Sequence, residues 1–436
     1  VSADTAMTTK SKTADIVVER ATSLAGTLVP PADKSIAHRA AMLSALAPGT
    51  SRIVNWPRSA DPASTLACLE QLGVRMGEED GVLLVHGGAL HAPTQPLDCG
   101  NSGTTMRLLS GILAGQDFEA TLIGDASLTP RPMKRIMEPL GQMGARITST
   151  GGHAPLRIAG NPELTGITYR LPVASAQVKS AILLAGLFAS GHTTIIETTP
   201  SRDHTERMLG LATLEVGGER HISSSAADRP EPGIWSIPGD FSAAAFFLVA
   251  ASIVPDSSLR LPGVGLNPSR TALVDMLRAM GAAIEIRNER TVGGETLADL
   301  TVTSQQLSSI QVSGGVVANA IDELPILCVA CAAAEGTSEI RGAAELRHKE
   351  TDRIAAMTRG LRALGADISE HEDGWTIRGG APLTGGHVDS CHDHRIAMAL
   401  GVAALTASTP VHIHGADIAA VSYPGFWDEL ARVAGR

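Results

Sequence analysis

The stretch Arg347 to Arg353, RHKETDR, sets Arg347, His348, Lys349 and Arg353 beside Glu350 and Asp352. Charged residues make up only 18% of the chain, so this density asks for a reason. A planar guanidinium matches carboxylate and phosphate geometry bidentately. A carboxylate placed among cations can in turn serve as a general acid or base. The chemistry suggested is the handling of a ligand with several negative charges, with proton transfer beside it.

Other runs of the same character interrupt apolar surroundings. PPADKSIAHR brings Lys34, Ser35 and Arg39 to an expected helix start. Lys34 is badly placed there for the helix dipole, unless an anion shares the free N–H groups with it. LDCGNSGTTMR supplies Asn101, Gly103 and Thr104 in a small-residue turn, with a helix expected from near Thr104. Glycine there permits close backbone approach to a ligand. GDASLTPRPMKR holds Arg131 between Pro130 and Pro132, which stiffen its backbone. PVASAQVKS gives Ser175, Ala176, Gln177 and Lys179, and SRDHTER gives Arg202. IDELPIL places Asp322 and Glu323 before an apolar helix, where Asp322 is expected as the N-cap. CHDHRIAMAL carries Asp393 and Arg395 at another helix entrance. Its His392 and His394 have no further ligand spacing around them, so no metal site is expected. Cys328 and Cys331 form a C-x-x-C inside LPILCVACAAA, which reads as the face of a buried helix rather than a redox pair.

Composition narrows the classes. The chain has 436 residues and a net charge of −10, which argues against nucleic-acid or anionic-membrane binding. A cleft can still be locally positive. Five cysteines without a paired framework fit a reducing compartment. The polar start has no apolar h-region and reads as a disordered tail of about a dozen residues. The longest apolar run, FSAAAFFLVAASIV, is too short to span a bilayer. The expectation is a soluble cytoplasmic monomer without a cofactor. Its aromatic content of 3% requires an aliphatic, alanine-rich core.

The elements that must position these residues show as a repeat. An amphipathic helix ending in Leu-x-x-(Leu/Met)-Gly, then a strand, recurs with Gly73, Gly144, Gly281 and Gly365. A degenerate copy has Ala212 near the equivalent place, and a truncated one ends the chain with Gly435. The interval is roughly 70 residues, so six units are counted. Glycine just past each helix takes the left-handed conformation that stops it. A second, more apolar helix precedes each copy and should be buried against a sheet. Three units per domain is the natural partition, with the boundary near Pro238-Gly239.

The strings DKSIAHR, GNSGTTMR, SLTPRPM, SAQVKSA, KETDR and DHRIAM, in this order, resemble the enolpyruvyl transferases, and closely the branch acting on shikimate 3-phosphate. The match runs from about Ile16 to the C-terminus. It implies a two-domain inside-out α/β barrel with three βαβαββ repeats per domain and the site in the cleft between them. The domains would be 1–31 with the second domain, 32–238 as the first, and 239–436 as the rest of the second. It implies transfer of the enolpyruvyl group of phosphoenolpyruvate to the 5-hydroxyl of shikimate 3-phosphate. Proton transfer would fall to Asp322 and Glu350, with Lys34 assisting. Phosphoenolpyruvate would be held by Lys34, Arg131, Gln177, Arg353 and Arg395. Shikimate 3-phosphate would be held by Ser35, Arg39, Ser175, Arg202, Asp322 and Lys349. Val421 stands where many members carry a lysine, which removes one donor contact. Gly103 leaves the pocket open to glyphosate, which is longer than phosphoenolpyruvate. The sister branch acting on UDP-N-acetylglucosamine carries a reactive cysteine in the loop matching GDASLTPRPMKR, which has none here. A non-catalytic anion-binding relative is the other alternative, against which intact Asp322, Glu350 and Lys34 argue.

Overall fold

The computed structural model describes residues 14–436; the expected polar tail lies outside the described residues. Six sheets carry the fold, five of four strands and one of three. Each four-stranded sheet opens with a parallel pair and closes with a hairpin. Leu97–Asp98 runs parallel to Glu119–Ile123, which pairs antiparallel with His153–Ala159, itself paired with Arg146–Thr150. The last sheet pairs Gly386–Asp389 with Val411–His414 and is closed by Ile16–Val18 from the other end of the chain. One sheet per repeat gives the six units read from the glycine spacing.

Helices sit inside the sheets. The run beginning at Phe241 forms a helix to Ile253, with every residue from Phe241 to Ser252 buried. Asp240 caps it by accepting from the Ser242 and Ala243 amides. The helix Leu324–Ala333 buries Cys328 and Cys331 in the same way. Burial pushes both thiols up, Cys331 to about 12, which leaves them unsuited to redox work at neutral pH. Among the described residues no helix is long and apolar enough to cross a membrane.

The amphipathic helices stop where the glycines predict. Gly73, Gly144, Gly281, Gly365 and Gly435 all have φ between 74 and 103°, conformations a side chain would strain. The third unit corrects the reading. Its helix, His204–Leu209, has only six residues and ends on Gly210 at φ 64°, not at Ala212. The chain turns earlier there because the helix is shorter.

Buried side chains form two cores. One gathers residues from Ala32 to Ile237; the other takes Val18 to Leu28 together with Phe241 to Val433. The chain passes between them twice, and the two passes pair. Ala32 bridges Gly239 antiparallel. The Asp33 amide donates to the Pro238 carbonyl at 2.8 Å, and the Asp240 amide to the Pro31 carbonyl at 2.7 Å. Both passes read Pro-x-Asp and both aspartates cap the helix that follows. Arg270, 2% exposed, joins the two caps through Asp33 at 2.5 Å and Asp240 at 3.2 Å.

Candidate active site

A cleft between the two cores is lined from both sides. Helix entrances do most of the positioning. Asp33 caps the helix Lys34–Leu46 through the Ile36 amide, which sets Lys34 and Ser35 at the cleft. Ser102 caps Gly103–Ala114 one residue before the expected start and presents Gly103 and Thr104. Ser175 caps Ala176–Gly186 and presents Gln177, which donates to Thr104 Oγ1 at 3.0 Å. From the other core, Asp352 caps Arg353–Ala363 and Asp393 caps His394–Ala404, setting Arg353 and Arg395. The cap oxygen accepts orphan amides, so each long cation is held at its root.

Arg353 ties the centre together. It is 1% exposed, with Nε 2.7 Å from Asp393 Oδ2, Nη1 3.3 Å from Asp322 Oδ1 and Nη2 2.6 Å from Glu350 Oε2. Burial would lower its pKa, but Asp393, Glu350 and Asp322 outweigh burial and hold it raised. Asp322 also meets Arg202 at 2.7 Å, Arg395 at 3.7 Å and Lys349 at 3.9 Å. Burial alone would raise the Asp322 carboxyl; Arg395, Arg202, Lys349 and Arg353 together hold it well below the usual range. Glu350 is opposed in the same way by Arg353, His394 and Arg131, and is also held low. Arg131 reaches it at 3.5 Å while bonding Asn101 Oδ1 at 2.8 Å. Both carboxylates are therefore ionised at neutral pH.

Of the residues put forward from the sequence, Arg39, Ala176, Lys179, Glu323 and Asp393 do not line this cleft, and the other expected catalytic and substrate-binding residues do. Arg39, 4% exposed, lies behind the wall. Its guanidinium donates to Thr205 Oγ1, Ser180 Oγ and the Ser35 carbonyl. Ala176 opens its helix without facing the cavity. Asp322 is not an N-cap either. Glu323 occupies that position and makes no side-chain cap bond. Four cations compete for the Asp322 carboxylate more strongly than a helix amide does.

Other lining residues escaped the reading: Asp61, Arg107, Arg135, Asp240, Arg270, Glu345, His348 and His394. Lys34 Nζ lies 3.1 Å from Asp61. Arg107 donates to Gln177 Oε1 at 2.6 Å, and burial, with Arg135 and Arg131 nearby, lowers it to about 10. His394 is buried with Nε2 unpartnered, and burial followed by Lys34 holds its pKa well below the usual histidine value. The Asp61 position carried no local signal, whereas His394 stood inside the quoted DHRIAM. Arg107 stood inside the quoted GNSGTTMR, and Asp240 repeats the Pro-x-Asp of Asp33. The lining counts nine Lys and Arg against five Asp and Glu, so the cleft is cationic on an acidic protein.

The model of the family EPSP synthase (3-phosphoshikimate 1-carboxyvinyltransferase) matches residues 18–430. The chain belongs to the EPSP synthase family. A 3-phosphoshikimate 1-carboxyvinyltransferase of Salinibacter ruber is 59% identical over 425 residues, covering 96% of this chain and 99% of that protein. One from a Synechococcus strain is 50% identical, covering 94% and 97%. Among solved structures, an EPSP synthase from Acinetobacter baumannii superposes with a TM-score of 0.85 at 43% identity, covering 96% of this chain and 97% of that one. An enolpyruvyl transferase from Streptomyces tendae shares the fold at a TM-score of 0.77 and 18% identity, covering 96% and 97%. The two-domain inside-out α/β barrel of this EPSP synthase family member is the architecture that the resemblance implied, with the six units read from the repeats.

Proposed function

We propose that this EPSP synthase family member transfers the enolpyruvyl group of phosphoenolpyruvate to the 5-hydroxyl of shikimate 3-phosphate and releases phosphate. The observation that carries the reading is the single guanidinium of Arg353, which holds both Asp322 and Glu350 in a cationic cleft. Two anionic substrates need dense positive charge to be brought together, and proton transfer needs two separate carboxylates.

The reaction is addition followed by elimination. In addition, the acceptor oxygen bonds to C2 of phosphoenolpyruvate, the hydroxyl loses its proton and the methylene carbon gains one. In elimination, the new methyl loses a proton and the bond from C2 to the phosphate oxygen breaks. The nearest of the cations around Asp322 is Arg202 at 2.7 Å, assigned to the acceptor, so Asp322 takes the hydroxyl proton. Glu350 stands beside Arg131 and Arg353, assigned to the donor, so it serves the methylene carbon. Both begin ionised, so Glu350 must be charged with a proton before addition. An incoming donor anion on Arg131 and Arg353 would weaken their hold on Glu350 and raise its pKa toward that state. Lys34 assists at the donor phosphate together with Gln177 and Arg395. Ser35, Ser175, Asn101 and Thr104 supply neutral donors, and Gly103 lets the backbone approach.

We assign residues 32–238 to the first domain and residues 1–31 with 239–436 to the second, so that the paired passes at Ala32 and Gly239 form the joint. The two cores and the bridge between these residues support this division.

Phosphate release from phosphoenolpyruvate, compared with shikimate 3-phosphate and UDP-N-acetylglucosamine as acceptors, tests the reading. Release with the first alone is expected. Release only with the second would overturn the acceptor, and release with neither, in folded protein, would overturn the activity.

A further inference from the structure

Lys179 is 0% exposed, one turn into the helix Ala176–Gly186, and faces away from the cleft. Its ammonium lies 3.0 Å from Glu197 and 2.6 Å from Glu206, both buried. Apart from Lys179, Glu206 has no polar side-chain partner among the described residues. A buried ion network gives little net stability, since apolar residues of the same volume would often do as well. Its retention calls for a different account.

The network grips one loop. Lys179 Nζ donates to the Ser201 carbonyl at 3.3 Å. Glu197 Oε1 accepts from the Ser201 amide at 3.2 Å and from its hydroxyl at 2.5 Å. Residues 198–202 form no main-chain to main-chain hydrogen bond among the described residues. The loop is therefore fixed by these side-chain contacts at Ser201. The next residue is Arg202, which reaches across the cleft to Asp322 at 2.7 Å.

We propose that Lys179 is a positioning residue: with Glu197 it locks Ser201, and so aims Arg202 at the acceptor. This rests on the acceptor side of the functional reading above, where Arg202 grips shikimate 3-phosphate. Lys179 touches neither substrate and acts through the loop alone.

Two measurements on full-length Lys179→Met, checked for folding, decide it. Hydrogen exchange of the Ser201 amide, which Glu197 holds, should quicken about tenfold, with the inner helices unchanged. The KM for shikimate 3-phosphate should rise about tenfold while that for phosphoenolpyruvate stays within about twofold, because only the acceptor clamp is loosened. Lys179→Arg should recover part of both effects. Should Lys179→Met not fold, Ser201→Ala removes one of the three contacts, the hydroxyl bond to Glu197, while keeping every buried charge, and smaller changes of about threefold in the same two readouts are expected. Unchanged loop exchange in the folded variant would overturn the proposal, as would KM values for the two substrates rising in step. If wild-type protein fails to use shikimate 3-phosphate, the functional reading falls, and loop exchange still decides whether Lys179 holds the loop.

Discussion

Arg202 of the N-terminal core meets Asp322 of the C-terminal core at 2.7 Å, Nη2 to Oδ2. The pair spans the cleft, and in the proposed reading each partner faces the acceptor. On the proposed assignment an acceptor phosphate or hydroxyl would enter between these paired groups. Binding therefore exchanges one ion pair for another instead of neutralising a bare cation. Replacing Arg202 with Lys keeps the charge and loses the planar fork. The KM for shikimate 3-phosphate should rise about tenfold with a smaller change in kcat, read from initial rates at saturating phosphoenolpyruvate.

Gly103 bears on the donor pocket. A methyl built there would lie 2.7 Å from Arg107 Nη1 and 3.6 Å from Arg131 Nη1. The first distance forces the end of the Arg107 side chain to move, and Arg107 holds Gln177. Gly103→Ala should raise the KM for phosphoenolpyruvate about tenfold and weaken glyphosate by a larger factor, since the longer ligand needs more of the same space. Steady-state inhibition of the variant beside the parent checks both halves.

Arg270 supports the joint. It is buried between the two helix caps, Asp33 and Asp240, and also donates to Ser242 Oγ at 2.7 Å. Arg270→Met would leave two buried carboxylates without their shared partner. Breaking such a pair from one side costs about 3–5 kcal/mol, whereas removing the whole group costs far less. Urea unfolding should show that loss for Arg270→Met. A triple change of Arg270, Asp33 and Asp240 to neutral residues should recover part of it.

Stability should fall in mild acid for a reason visible in two histidines. Burial lowers His38 to about 3 and holds His394 well below the ordinary value. The unfolded chain protonates both near pH 6.5, while the folded chain does not until far lower. Below that pH the unfolded state binds more protons, so stability drops as pH drops. The slope is about 1.4 kcal/mol per pH unit for each histidine once below about pH 6.5. Asp322 and Glu350, held low in the folded state, add to the same trend at pH below about 4. Unfolding free energies measured at about pH 7.5, 6.5 and 5.5 should show the fall beginning at the middle value. His38→Asn, able to keep a bond to Thr65 Oγ1, should roughly halve the slope between about pH 6.5 and 5.5.

Local rules made much of the fold and site legible. Five helix stops were readable because a left-handed residue after an amphipathic helix is nearly always glycine, and five of the six units kept that spacing. The third unit slipped because its helix is only six residues long. Asp322 was read as a cap from its place before an apolar helix, a rule that ignores what comes from elsewhere in the chain. Arg202, Lys349, Arg353 and Arg395 converge on it from three separate segments, Lys349 and Arg353 sharing one. Arg39 misled in the opposite sense. Its motif is a cleft motif, but one helical turn carries its guanidinium behind the wall to Thr205 and Ser180. Asp61 could be placed only by packing, since nothing beside it in the sequence separates it from an ordinary surface residue.

The most direct test of the two-carboxylate account is the turnover of Glu350→Gln at saturating phosphoenolpyruvate and shikimate 3-phosphate. The substitution keeps size and hydrogen bonding and removes the group proposed to serve the methylene carbon. Loss of a positioned general acid or base costs about 10²–10⁴ in rate. Phosphate release should fall by at least about a hundredfold while shikimate 3-phosphate binding stays within a few-fold. A kcat within about tenfold of the parent would contradict the assignment of Glu350 to proton transfer.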